Sequence, residues 1–197
     1  FVSYGGTSGL SNDRLLLLYG FCEHDNLEDE YHICTVDTPI DWAQAIKPVR
    51  GQDQGPQRQQ LWEGLIPRHV VFKRDGVDAG TMKRMRLLVA VAHGEIPDTR
   101  PQGSFDQSIS LENELAVWSA LVSVCYQELK RYAEFELRQL GGIASHDIDP
   151  DRAYIAGVFL DGKKRILTET IGRLQHFSKV SRACGQVTTV WVAPEER

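Results

Sequence analysis

The longest regular run of apolar positions is Leu111, Leu115, Trp118, Val122, Cys125, Leu129 and Tyr132, separated by alternating steps of four and three. That is the stripe of an amphipathic helix that buries one face. Ser110 stands at the N-cap position, and Glu112 and Glu114 fall in the first turn, where the helix dipole favours acids. The phase fails at Glu136, and Ala133, Leu137 and Leu140 take over before Gly141-Gly142, which predicts a bend or break near residues 132–135. Met82, Met85, Leu88, Val89 and Ala92 predict a second helix over 81–92, entered from a turn at 76–80. Asp149-Pro150 reads as cap and first helical residue of a third, running towards Lys179 with a weak point at Gly162.

Shorter patterns fill the rest. Residues 1–4 read as the end of a strand, and Gly5, Gly6 and Gly9 as the turn after it. Ser11 or Asn12 caps a short helix with Asp13 in its first turn, Leu15 to Leu18 as core, and Gly20 as its stop. Residues 23–30 are polar and acidic and read as an exposed loop. Tyr31 to Val36 alternates as a strand does. A short amphipathic piece surrounds Trp42, Ala45 and Ile46. Residues 50–60 lack large apolar side chains and contain Gly51, Gly55 and Pro56, the composition of a linker. The segment 61–72 is apolar and broken by Gly64 and Pro67, residues 96–108 form a second loop, and 187–192 is a terminal strand candidate. No internal repeat is visible. The fold class that results is mainly α, with a small β/α unit in front.

Composition changes this picture little. With 197 residues, 42% hydrophobic and 25% charged, the chain is of globular type. Its length suffices to bury roughly 70% of the unfolded surface. No apolar run approaches the ~20 residues needed to cross a bilayer, so no membrane span is expected. A formal charge of −5 argues against a nucleic-acid partner. The basic clusters Lys83-Arg84-Met85-Arg86 and Lys163-Lys164-Arg165 read as solvated helix faces, as does the acidic run Glu28-Asp29-Glu30. Cys22, Cys34, Cys125 and Cys184 are widely spaced, without a CxxC pair or a Cys/His cluster, so no metal site is expected and the thiols read as reduced and intracellular. His24 and His32 beside the acidic loop read as solvated.

The candidate chemistry lies at the front. Tyr4-Gly5, then Ser11-Asn12, then Leu17-Leu18-Tyr19-Gly20-Phe21 resembles the C-terminal motif of a SET domain, in the branch typified by the rubisco large-subunit lysine methyltransferase. The later residues Leu87-Leu88-Val89, Leu111-Glu112-Asn113-Glu114, Leu129 with Tyr132, and Lys163 to Leu167 resemble the all-helical substrate-binding domain that follows SET in that branch. The resemblance implies residues 1–36 as the end of a SET domain and 37–197 as the helical lobe. It implies S-adenosylmethionine as cofactor and a protein lysine, or histidine, as acceptor. Tyr4 takes the catalytic role, Tyr19 lines the substrate channel, and Tyr19, Gly20 and Phe21 close over the cofactor.

A phenol suits that chemistry. It stays protonated at neutral pH, orients the amine by hydrogen bonding and supplies an aromatic wall. The family's glycine-rich cofactor loop and asparagine-histidine motif are not among these residues, and Phe1 falls within what reads as a strand. The sequence is therefore expected to be the C-terminal part of a longer enzyme, inactive alone. The reading from a different class is a non-catalytic helical interaction module that carries a degenerate SET remnant.

Overall fold

Tyr31 and Ile33 flank the polar His32, and Val70 and Phe72 alternate in burial with their neighbours although Val71 between them is apolar; these two short segments find each other. In the computed structural model, which describes residues 9–38, 40–46, 60, 64–93, 105–142 and 149–187, strand β1 (Glu30–Cys34) pairs antiparallel with β2 (His69–Lys73). The register joins Tyr31 to Phe72 and Ile33 to Val70, so all four side chains point to one buried face. A turn at Lys73 to Gly76 and a bridge from Phe72 to Val77 end the sheet.

Among the described residues, five helices with defined bounds surround it. They are α1 (Asn12–Tyr19), α2 (Trp42–Ala45), α3 (Ala79–Ala92), α4 (Leu111–Gly142) and α5 (Pro150–Cys184). The long antiparallel pair α4 and α5 is the spine, with α3 and α2 against α4 and the sheet against α5. The core gathers Ile33, Val70, Phe72, Met85, Leu88, Leu121, Ile166 and Leu167. The protein is thus mainly helical with a small two-stranded sheet.

Several expectations from sequence hold. Ser110 caps α4 through Asn113 N, and Asp149 caps α5 with Pro150 following it; Asp78, which the sequence reading did not single out, caps α3 through Thr81 N. Gly20 ends α1 in the left-handed conformation at φ 77°.

Others are corrected. The helix from Leu111 runs unbroken past residues 132–135. Beyond Tyr132 the residues Ala133 to Glu136 are exposed, and Glu136 meets α5 through an ion pair with Lys164 instead of apolar packing; the apolar phase is unconstrained there, while the residues remain good helix formers. The last helix passes through Gly162 without a break. A Cβ at Gly162 would lie 3.2 Å from Asp29 Oδ2, so the missing side chain marks a close approach instead of a weak point. Residues 69–73 form a strand that the apolar run 61–72 concealed, because its partner is some forty positions away.

Burial departs from expectation too. Leu15 is fully buried, but Leu16 is partly exposed, and Leu17 and Leu18 stand out at 83% and 61% exposure. Lys163, Arg86 and Asp29, read as solvated, are buried. Val187 packs on the core; the strand expected over the rest of 187–192 lies outside the described residues, as do positions 50–59 of the linker expected over 50–60, while residue 60 is helical.

Candidate functional site

Helix α1 carries the expected aromatic exit, and its placement rests on polar contacts. Ser11 is the N-cap by backbone position, yet its side chain makes no capping bond. Asp29 does that work from seventeen positions away: its Oδ1 accepts from Asn12 N at 2.9 Å, placing a carboxylate on the positive end of the helix.

The Asn12 side chain then ties helix to loop. Its Oδ1 accepts from Glu23 N at 3.0 Å and Asn26 Nδ2 at 3.2 Å, and its Nδ2 donates to Glu23 O at 3.1 Å and Asp29 Oδ2 at 3.3 Å. Asn26 closes the ring by donating to Leu10 O at 2.9 Å. Asn12, Asn26 and Asp29 are all buried, so each bond replaces one otherwise made to water.

Lys163 of α5 completes the cluster. Only 2% exposed, its ammonium donates to Asp29 Oδ1 at 2.8 Å, to Glu30 O at 2.6 Å and to Asp13 Oδ2. Three donors meet three acceptors. The Nζ also lies 4.8 Å from the centroid of the Phe159 ring. Arg165 pairs with Asp25 at the exposed edge of the same contact.

At the far end of α1, Gly20 turns the chain so that the rings of Tyr19 and Phe21 sit 6.1 Å apart, tilted by 32°. Tyr19 is 46% exposed and Phe21 half-buried. The structure therefore brings together Tyr19, Gly20 and Phe21. Tyr4 lies outside the described residues. Cys22 follows the exit, and burial, then the neighbouring Asp29, pushes its thiol pKa up, which leaves it a poor nucleophile at neutral pH.

Both histidines beside the acidic loop are exposed, as expected, and each has a neighbour. His32 Nε2 lies 2.9 Å from Glu30 Oε1. That hydrogen bond raises the imidazole pKa and lowers the carboxyl pKa. The His24 ring stands 6.4 Å from that of Tyr154. Among the described residues no group of three or more His, Cys, Asp or Glu is arranged to hold a metal ion, and no helix is long and apolar enough to cross a membrane.

Asp29, Gly162 and Lys163 escaped the sequence reading. A buried lysine and its carboxylate 134 positions apart leave no periodic trace. The one available signal was a glycine inside an otherwise helical segment, beside a lysine, which marks close backbone approach as readily as weakness.

Comparison with known proteins adds no relative: no protein-family model matches the chain, and no curated protein matches it significantly.

Proposed function

We propose that the chain is the C-terminal part of an S-adenosylmethionine-dependent protein methyltransferase of the SET type, acting on a lysine or histidine side chain of a protein substrate inside the cell. Residues 1–36 supply the end of the SET domain and residues 37–197 the helical lobe that docks the substrate protein. The observation that carries this reading is the unit formed by α1 and its exit. A capped helix ends at a left-handed glycine between two neighbouring aromatic rings, while three consecutive leucines face outward. Exposed apolar side chains such as Leu17 and Leu18 beside the aromatic exit support a surface that takes part in a larger site.

The chemistry assigned to these residues is positional. Methyl transfer to an amine is a one-step displacement that gains most from alignment of nucleophile, methyl carbon and leaving sulfur. Tyr4 orients the amine through its hydroxyl. Tyr19 and Phe21 wall the channel and the cofactor and keep water out, and Gly20 lets the backbone approach the ligand closely. S-adenosylmethionine supplies the methyl group as a sulfonium.

The test uses the complete protein that contains this chain, incubated with S-adenosylmethionine labelled in the methyl group and a protein fraction from the same cells. Label should enter protein, and Tyr4→Phe should lower incorporation at least ~100-fold at unchanged melting temperature, the size expected for loss of one well-placed hydrogen-bonding group. No incorporation by the parent protein, or near-parental incorporation by Tyr4→Phe, overturns respectively the activity and the role of Tyr4. The first result would leave the non-catalytic interaction module.

A further inference from the structure

We infer that Lys163, with Asp29 and Gly162, is a positioning assembly that fixes α1, and with it the Tyr19-Gly20-Phe21 exit, against the helical lobe. The catalytic consequence rests on the proposed methyl transfer; the mechanical one does not.

Two features of α1 require such a device. Within the helix Asn12 and Leu15 are the residues in the buried interior, so Leu15 is the one apolar side chain of α1 fully withdrawn from water. Hydrophobic contact is non-directional, and one leucine fixes neither the rotation nor the tilt of a helix. Directional bonds do: Asp29 caps the helix start, Asn12 ties it to the loop behind, and Lys163 holds both Asp13 on α1 and Asp29.

The second feature is economy of means. A buried ion pair is a weak source of stability, since desolvating the charges offsets their attraction, and an apolar pair of similar volume often does as well. What the pair does provide is geometry, because a misplaced charge in the interior has nowhere to go. The Lys163 ammonium directs all three donors to the segment that includes α1 and the start of β1, and its Nζ lies over the Phe159 ring. Gly162, next to it, sets the closeness of approach: a Cβ there would meet Asp29 Oδ2 at 3.2 Å and Asn12 Nδ2 at 3.7 Å. The Arg165–Asp25 pair shares the same contact but is largely exposed and contributes little to the setting.

Gly162→Ala is the informative variant. Alanine raises intrinsic helix propensity, so a purely structural role for α5 predicts an equal or more stable protein. A positioning role predicts displacement of Asp29 and α1 by a few tenths of an ångström with the rest of the core intact. Lys163→Met removes the charge while keeping the apolar stem.

The test is amide hydrogen exchange on the 197-residue chain, compared between α1 amides at residues 15–19 and α4 amides at residues 117–125. In Lys163→Met the α1 amides should exchange at least ~30-fold faster, and in Gly162→Ala about 5-fold faster, with α4 amides changed less than about 3-fold, as local opening requires. Equal acceleration in both helices, or none in α1, overturns the proposal. If Lys163→Met fails to fold, Gly162→Ala decides on the same criterion.

In the complete protein, Gly162→Ala should lower the kcat of methyl transfer about 10-fold at unchanged KM for S-adenosylmethionine, since small displacements of aligned groups cost rate. Unchanged kcat despite loosened α1 overturns the catalytic consequence. Differential exchange in a protein that transfers no methyl group upholds the positioning and rejects the proposed function, so the two failures are distinguishable.

Discussion

The hydroxyl of Tyr31 on β1 donates a 2.8 Å hydrogen bond to Glu128 Oε2 on α4, joining residues 97 positions apart beneath the sheet. Both are buried, and Arg131 holds the other carboxylate oxygen. The Tyr31 ring also lies 6.1 Å from that of Tyr132. Burial, followed by the hydrogen bond with Tyr132, drives the phenol pKa far above its ordinary value, so Tyr31 stays a donor at any physiological pH.

Removing that donor leaves a buried carboxylate oxygen unsatisfied. Tyr31→Phe should therefore cost about 1–3 kcal/mol, read as a lower urea midpoint at unchanged slope. A midpoint equal to the parent's would show that Arg131 satisfies Glu128 alone.

The leucines of α1 divide sharply. Leu15→Ala should cost about 2–5 kcal/mol, as deletion of a fully buried leucine does. Leu17→Gln and Leu18→Gln should each change stability by less than about 0.5 kcal/mol, as surface substitutions do. Urea unfolding of the three variants measures this directly. A loss of several kcal/mol from Leu17→Gln would place that side chain in a core within this chain and remove the support it lends to a composite site.

A second buried ion pair staples α3 to the start of α4. Arg86 Nε pairs with Glu114, while Arg86 Nη1 donates to Asp106 O at 2.8 Å and Phe105 O at 3.2 Å. Glu114 is 1% exposed, and burial raises its pKa against the pull of Arg86. Arg86→Met should cost about 3–5 kcal/mol by stranding the carboxylate, and adding Glu114→Met should restore most of the loss. A double variant no more stable than the single one would mean that the carbonyl contacts of Arg86, not the pair, matter most.

The His32–Glu30 pair gives a pH signature. The Glu30 contact raises the His32 pKa, so its stabilisation is complete below the ordinary imidazole value of ~6.5 and is lost as pH rises through the raised value. The same bond lowers the Glu30 pKa, so its part is present above the ordinary carboxyl value of ~4.3 and lost as pH falls through the lowered one. Both residues are partly exposed, which limits the pair to about 0.2–1 kcal/mol. The stability difference between the parent and His32→Gln should thus peak near pH 6 and vanish in alkaline solution. Thermal melts across that range would record it, and a difference that persisted at alkaline pH would assign the effect to packing.

What the amino-acid sequence determined by itself is local. Ser110, Asp149-Pro150 and Gly20 announce helix ends, because a cap or a left-handed turn is satisfied by residues within four positions. The alternation at Tyr31 to Cys34 marks a strand for the same reason. The mainly helical class and the three long helices follow from apolar spacing.

Tertiary structure decided which of those faces are covered. The stripe read from Leu111 to Tyr132 is one edge of a wider buried face, whose ends are Glu114 and Glu128, each made tolerable by a distant partner. No pattern of apolar residues reveals a buried charge, because its burial depends on a counter-charge the chain brings from elsewhere. So it is with Lys163, Asp29 and Gly162, and so, inversely, with Leu17 and Leu18. Their hydrophobicity called for a core, but burial is a property of what lies opposite, and within the described residues nothing covers them.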